Sequence, residues 1–139
     1  MWWRRKRVVR RKRSSSVTQH YLAHKEAARQ LVHERLAYWS AHYNLPVRRV
    51  AIRNTRSRWG SCSEAGNLNF SYKILFLPPH LQDYLIIHEL CHVQEFHHGP
   101  AFWALVARHY PEYRAARREL RAIERAGSHR TSPSARRSG

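Results

Sequence analysis

The amino-acid sequence predicts an α+β fold, in which one long N-terminal helix precedes a small β-sheet and three further helices. Two patterns carry this prediction: apolar residues recur at helical spacing over residues 20–43, and apolar and polar residues alternate over residues 67–74. The length of 139 residues, of which 42% are hydrophobic, fits one globular domain and argues against a wholly disordered chain.

The first predicted element is a helix over residues 20–43. Thr18 is a suitable N-cap, because its hydroxyl can accept a hydrogen bond from the first helical turn. Asn44 and Pro46 end the helix, since the residue before a proline disfavours helical backbone angles. The apolar residues that define one helix face are Tyr21, Ala28, Val32, Leu36, Trp39 and Tyr43.

Two strands are predicted after this helix. Val50 and Ile52 lie on one face of a short strand over residues 47–53. The pattern over residues 67–74 is stronger, because four apolar residues alternate with polar ones as in a half-buried strand. Residues 63–67 have the composition of a turn. These segments together predict a small β-sheet or hairpin.

Three helices complete the predicted fold, over residues 80–96, 100–109 and 112–126. Pro79 suits the first turn of a helix, where its missing N–H is not needed. Pro111 separates the last two helices, and Gly127 is a natural C-terminal stop.

The net charge of +17, from 26 Lys and Arg against 9 Asp and Glu, is concentrated at the two ends of the chain. Residues 1–13 contain eight basic residues and no acid, and residues 128–139 contain three. We therefore expect residues 1–17 and 128–139 to be basic disordered tails around a folded domain at residues 18–127. Such tails attract nucleic acid without reading its sequence, so non-specific nucleic-acid contact is an expectation for them.

Composition also excludes several classes of protein. Two cysteines cannot build a disulfide framework, and no apolar run is long enough to span a membrane. The basic N-terminal residues are not followed by the apolar stretch of an export signal. These observations predict a cytoplasmic location.

The central motif is an HExxH pattern formed by His88, Glu89 and His92 on a predicted helix. Residues four positions apart lie on one helix face, so the two imidazoles can bind one Zn²⁺. Glu89 lies one position on from the first histidine, where it can act as a general base rather than a ligand. The apolar run of residues 84–87 before the motif indicates that the helix is buried.

A catalytic zinc site needs a third protein ligand. His98 is the favoured residue because it follows His88 by the ten positions of the extended HExxHxxGxxH pattern. His97 and Glu112 are the alternatives. Glu95 occupies the position of the glycine in that pattern and shares the helix face of His88, so we predict that it orients an imidazole N–H.

Several linked motifs resemble the YgjP-like metallopeptidase family, which is in turn similar to SprT-like domains. The resemblance covers residues 21–121 and rests on motifs that occur in the family's order. They are Arg58–Ser63 (RWGSCS), Gly66–Asn69 (GNLN), Pro78-Pro79, Asp83-Tyr84, His88–His92 (HELCH), His98 and Phe102-Trp103.

The resemblance implies a zincin-like core and a Zn²⁺ cofactor. It implies that His88, His92 and His98 are the metal ligands, that Glu89 is the catalytic glutamate, and that residues 58–63 lie on strands beside the active site. The chain departs from the family in two ways. Only a basic segment precedes the first helix, where members often have a longer, strand-rich portion, and HHGP replaces the usual Asn-His-Ser.

The favoured function is that of a zinc-dependent metallohydrolase, specifically a metallopeptidase that acts on a peptide or protein. Arg56, Arg58 and Tyr72 are candidate contacts for the substrate or for a developing oxyanion. The first alternative is a metal-dependent hydrolase of nucleotide phosphoanhydrides, with the arginines as phosphate clamps. The second is a nucleic-acid-binding module with structural zinc. Glu89 argues against this module, as does the ligand position left open, since structural zinc sites have four protein ligands.

Overall fold

The computed structural model describes residues 15–131. It contains four α-helices and a three-stranded sheet, so the predicted α+β class is confirmed. Of the predicted basic tails, residues 1–14 and 132–139 lie outside the described residues, whereas residues 16–17 and 128–131 belong to helices. No helix within the described part of the chain is both long enough and apolar enough to cross a membrane.

The first helix, α1, spans Ser16–Tyr43 and begins earlier than predicted. Ser15, not Thr18, is the N-cap: its side-chain oxygen accepts a hydrogen bond from the Thr18 backbone N–H at 3.3 Å. Asn44 ends the helix in the left-handed conformation, with φ of 52°, and its N–H bonds to the Ser40 carbonyl. Asparagine tolerates this conformation better than most residues.

A three-stranded sheet follows α1. Its strands are β1 (Arg49–Arg53), β2 (Gly60–Cys62) and β3 (Asn67–Ser71), in the spatial order β1-β3-β2. β1 is parallel to β3, so the two strands predicted from the residue pattern do not form a hairpin with each other. β2 and β3 pair antiparallel. Gly66, with φ of +84°, occupies the hairpin turn at a backbone angle that other residues rarely adopt.

The strand predicted over residues 67–74 is too long. β3 ends at Ser71, and Tyr72–Phe76 forms a 3₁₀-helix. The Ser71 hydroxyl caps this helix by accepting a hydrogen bond from the Lys73 N–H at 3.2 Å. Tyr72 and Ile74 are both buried, so the alternating pattern continues although the backbone has left the sheet.

The helix that carries the HExxH motif, α2, spans Pro79–Cys91 and is shorter than the predicted 80–96. His92 is its C-cap, and turns follow in which the Glu95 N–H bonds to the Cys91 carbonyl at 2.9 Å. Because α2 ends at Cys91 and not near residue 96, the chain after His92 can turn back over the same end of the helix.

Two helices close the fold: α3 spans Pro100–Ala107 and α4 spans Tyr113–Thr131. α4 passes through Gly127, so the predicted stop at this residue is wrong. A single glycine lowers helix stability by about 1 kcal/mol and does not by itself end a helix. The helices therefore extend past both ends of the predicted domain, residues 18–127.

α2 is the central element of the core. Its buried residues contribute to two hydrophobic clusters, one shared with α1, the sheet and α4, the other with α3. Asp83 fixes α2 to α1, because its carboxylate accepts from the Trp39 indole at 3.1 Å and lies 3.3 Å from an Arg35 guanidinium nitrogen. The motif at the end of α2 is thus held in a fixed position.

Candidate metal centre

The last turn of α2 brings His88 and His92 together. Their Nε2 atoms are 3.3 Å apart, as the four-residue helical spacing predicts. The turns after α2 then return His98 to the same place. Its Nε2 atom lies 2.9 Å from that of His92 and 3.2 Å from that of His88.

These three nitrogens fit a tetrahedral metal ion. Two nitrogens bound to Zn²⁺ at about 2.0–2.1 Å in tetrahedral geometry lie about 3.3–3.4 Å apart, close to the separations in the histidine cluster. Burial lowers the pKa of His88 to about 3, with His92 and His98 as the next causes. Neutral imidazoles are the form that binds a metal, so this cluster is ready to ligate at neutral pH.

The remaining ring nitrogens fix the orientation of the imidazoles. His92 Nδ1–H donates to the backbone carbonyl of Glu95 at 3.0 Å, which leaves the Nε2 lone pair directed at the other histidines. His88 Nδ1 lies 3.3 Å from the Tyr84 hydroxyl. Glu95 therefore accepts a hydrogen bond from an imidazole N–H, that of His92, as its sequence position predicted. It does so through its backbone oxygen and not through its carboxylate.

The alternatives for the third ligand lie outside the cluster. Among the described residues, a metal ion could be held by a group of three side chains, which are His88, His92 and His98. The His97 ring packs against that of Phe96, with 5.4 Å between centroids, and His97 is not part of this group. The geometry thus favours His98 over His97 and Glu112.

Glu89 lies beside the cluster and is buried, with 5% of its surface exposed. Its Oε1 atom is 4.0 Å from His88 Nε2, and its Oε2 atom is buried without a hydrogen-bond partner in the described protein. A buried carboxylate oxygen without a partner is costly, which is typical of functional groups. Burial raises the pKa of Glu89 to about 8, a value suited to exchanging a proton near neutral pH.

Gly60 in β2 packs directly against Glu89. A Cβ atom at this position would lie 2.9 Å from Glu89 Cγ and 3.0 Å from the Asn69 carbonyl oxygen. Both distances are too short for a methyl group, so a glycine is needed for the close approach. The segment Arg58–Ser63 thus contributes the strand backbone against which the glutamate is held.

On the sequence-based expectation that Glu89 is a general base, Gly60→Ala should lower kcat for hydrolysis by about 100-fold, because displacing such a group by about 1 Å has effects of this size. Zinc content should stay unchanged, since the atoms nearest a Cβ at Gly60 belong to Glu89 and Asn69 and not to a histidine. Steady-state kinetics and metal analysis test both statements. Gly127→Ala is the matched control, as a Cβ there meets nothing within 4 Å. Equal activity in the two variants would contradict the positioning role of Gly60.

The three predicted substrate contacts do not lie in the histidine cluster; they are Arg56, Arg58 and Tyr72. Arg56 and Arg58 line a cavity with Lys73, and none of the three clustered histidines lines it. Tyr72 is 2% exposed and its hydroxyl pairs with His20 Nδ1 at 2.9 Å. The structure therefore does not bring these predicted substrate contacts together with the histidine cluster.

Arg117 on α4 is a site residue that sequence reasoning missed. Its guanidinium carbon lies 4.3 Å from the centre of the Trp103 ring. That ring in turn lies 5.9 Å from the rings of His88 and His98. The positive charge of Arg117 contributes, after burial, to lowering the pKa of His98. No local motif marks this arginine, because its position depends on how α4 packs against α3.

Comparison with known proteins gives a family and a structural neighbour. The model of the YgjP-like metallopeptidase domain matches residues 4–123. The match begins within the basic N-terminal segment, earlier than the resemblance over residues 21–121. Curated proteins give no significant match.

The crystal structure of the metallopeptidase zymogen of Pyrococcus abyssi abylysin has a similar fold, with a TM-score of 0.61 and 20% sequence identity. The similarity covers 66% of this chain and 93% of that chain. At this identity the likeness concerns the fold alone. The match of the family model over most of the sequence, together with the HExxH cluster, leads to one conclusion: the chain belongs to the YgjP-like metallopeptidase family.

Proposed function

We propose that the protein is a zinc-dependent metallopeptidase that cleaves peptide bonds with water, with Glu89 as general base. One observation carries the proposal: three imidazole nitrogens converge within 3.3 Å of one another beside a buried carboxylate whose Oε2 atom has no hydrogen-bond partner among the described residues. Ligands and base in this arrangement are typical of metal-assisted hydrolysis.

The ligand set favours Zn²⁺. Three imidazoles at near-tetrahedral separation suit this ion, and three protein ligands leave one coordination position open. A zinc ion held there would supply Lewis acidity, which polarises the scissile carbonyl and makes water more acidic. A structural zinc site would be closed by a fourth protein ligand, so the histidine cluster argues against the nucleic-acid module with structural zinc.

Glu89 performs the proton transfers in this proposal. Its carboxylate accepts a proton from the attacking water and returns it to the leaving amine. The low-dielectric surroundings raise its pKa to about 8, so the protonated form is accessible for the second transfer. The backbone of Gly60 packs against the Glu89 side chain and limits the positions that its carboxylate can take.

The sheet favours a peptide as the substrate. Within residues 15–131, β2 pairs with β3 on one side only, and Gly60 of this strand contacts Glu89. An extended peptide can therefore add to the other side of β2 through backbone hydrogen bonds. Arg56 and Arg58 line a separate cavity, so they do not support the phosphate clamp that nucleotide hydrolysis would need. Arg117, whose guanidinium packs on Trp103 and whose charge lowers the pKa of His98, is the arginine that lies on the histidine side of the fold.

Parallel assays with casein-type peptides and with nucleoside triphosphates test the substrate class. We expect the zinc-loaded protein to cleave peptides and to leave the triphosphates intact. Mass spectrometry of the peptide products and release of inorganic phosphate are the two measurements. Phosphate release without peptide cleavage would overturn the peptidase proposal in favour of phosphoanhydride hydrolysis.

A further inference from the structure

A groove distinct from the histidine cluster lies between the start of α1, the loop before β2, the 3₁₀-helix and the end of α4. It consists of two adjoining cavities of about 530 and 550 Å³ that share Trp59, Lys73 and Ile123. We call the two together the composite groove. None of the three clustered histidines lines either cavity.

One half of the composite groove is basic and rich in hydroxyl groups. Arg56, Arg58 and Lys73 line it together with Thr55, Ser57 and Ser71. The Thr55 hydroxyl donates to the Arg58 carbonyl at 2.8 Å, which fixes the shape of the loop that carries both arginines. Guanidinium, ammonium and hydroxyl donors together are the groups that bind phosphate oxygens.

One acid also lines the basic half. Glu124 accepts a hydrogen bond from the Trp59 indole N–H at 2.8 Å. This contact ties α4 to the loop before β2 and holds the Trp59 ring in the wall shared by both cavities. Three basic side chains against one acid leave the lining with a net positive charge.

The other half of the composite groove is aromatic. His20, Tyr72 and Phe76 line it, and the Phe76 side chain is 53% exposed, so its ring is accessible to a ligand. The rings of His20 and Phe76 lie 5.3 Å apart, and the Tyr72 hydroxyl pairs with His20 Nδ1 at 2.9 Å. These contacts hold an exposed aromatic surface in place before any ligand binds.

Residues at the start of α1 and near the end of α4 line this groove. Ser16 and Val17 of α1 line the aromatic half, and Gly127 of α4 lines the basic half. The segment that precedes α1 carries eight basic residues in positions 1–13, and residues 128–139 carry three more. The described residues next to these two segments therefore line the composite groove, and the net positive charge of the lining itself favours a polyanion as the ligand.

We infer that the composite groove binds single-stranded nucleic acid, with phosphates on Arg56, Arg58 and Lys73 and a base stacked on Phe76. Aromatic rings beside a basic groove are the general means of binding a single strand without sequence preference. The recognised unit is a nucleoside phosphate, which a free nucleotide also offers. An anionic membrane would need the positive charge but not the ring of Phe76.

Fluorescence anisotropy of the full chain with a labelled oligothymidylate of about 12 nucleotides tests the inference. Arg56→Ser combined with Arg58→Ser should weaken binding about tenfold. It should also make the plot of log affinity against log salt shallower by about 1.4, the value for two phosphate contacts on a single strand. The matched control is Arg29→Ser combined with Arg108→Ser, which removes two exposed arginines outside the groove and should change affinity less than twofold.

The aromatic half has its own pair of variants. Phe76→Ala should weaken binding about fivefold or more, as expected for the loss of one stacked base. Tyr38→Ala is the control, because Tyr38 is 54% exposed on α1 and lies outside the groove. Circular dichroism and zinc content establish that each variant is folded. These readouts do not involve peptide hydrolysis, so the inference can fail while the proposed function holds, and the reverse.

Three outcomes would overturn the inference. Equal affinity in groove and control variants would mean that the basic ends bind by charge alone. Tight binding of thymidine monophosphate with no gain for the oligonucleotide would assign the groove to free nucleotides. Phosphatidylserine vesicles that bind more tightly than the oligonucleotide, and are released by the arginine variants but not by Phe76→Ala, would assign it to a membrane.

Discussion

Glu89→Gln is expected to lower kcat for peptide cleavage by about 1,000-fold, within the range for loss of a general acid–base group. Glutamine has nearly the volume of glutamate, so it fits the same space against Gly60, but it cannot accept a proton from water. The histidines are unchanged, and the variant should therefore retain its zinc. Single-turnover kinetics with a fluorogenic peptide and metal analysis by mass spectrometry measure the two effects.

The control for this variant is Glu26→Gln, which removes an exposed carboxylate on α1. It should match wild type in both turnover and zinc content. Full activity in Glu89→Gln would contradict the mechanism directly. Loss of zinc from Glu89→Gln would show that the carboxylate supports the metal and does not act as the base alone.

His98→Ala is expected to weaken zinc binding by more than about 100-fold. Residues that only orient a metal ligand typically cause a loss of about 10–100-fold, so a larger loss identifies a ligand. The reason is geometric, because His98 Nε2 lies 2.9 and 3.2 Å from the other two candidate ligand atoms. Competition with a chromophoric chelator measures the affinity. Peptide hydrolysis should fall in parallel unless zinc is added in excess.

His97→Ala is the matched control, since this histidine is the chain neighbour of His98 and its side chain is exposed. It should bind zinc as tightly as wild type. Weaker zinc binding by His97→Ala than by His98→Ala would make His97 the third ligand. The chain after α2 would then have to follow a different path.

The HExxH helix could be predicted from sequence because the relevant spacing is local. His88 and His92 are four residues apart, and any helical turn over residues 88–92 brings them to one face. The return of His98 is different, because it depends on where α2 ends. The sequence pattern placed that end near residue 96, whereas the helix stops at Cys91, and the turns that follow are stabilised by backbone contacts that carry no strong residue signature.

The surroundings of the site were harder to predict because they are formed by distant segments. Gly60 contacts Glu89 across 29 positions of sequence, and no periodicity relates a short edge strand to a helix. Arg117 reaches the histidines through Trp103, whereas Arg56 and Arg58 line another cavity. The number of arginines in the sequence could not separate these cases, because the neighbours of each arginine depend on contacts between segments that are distant in sequence.

The most direct test of the metallohydrolase account is the zinc content and peptide-cleaving activity of wild-type protein before and after removal of metal. We predict one zinc ion per chain, loss of both zinc and activity after dialysis against a chelator, and recovery of activity with one equivalent of Zn²⁺. Folded wild-type protein that is purified without metal, binds no added zinc and cleaves no peptide in its presence would contradict the account.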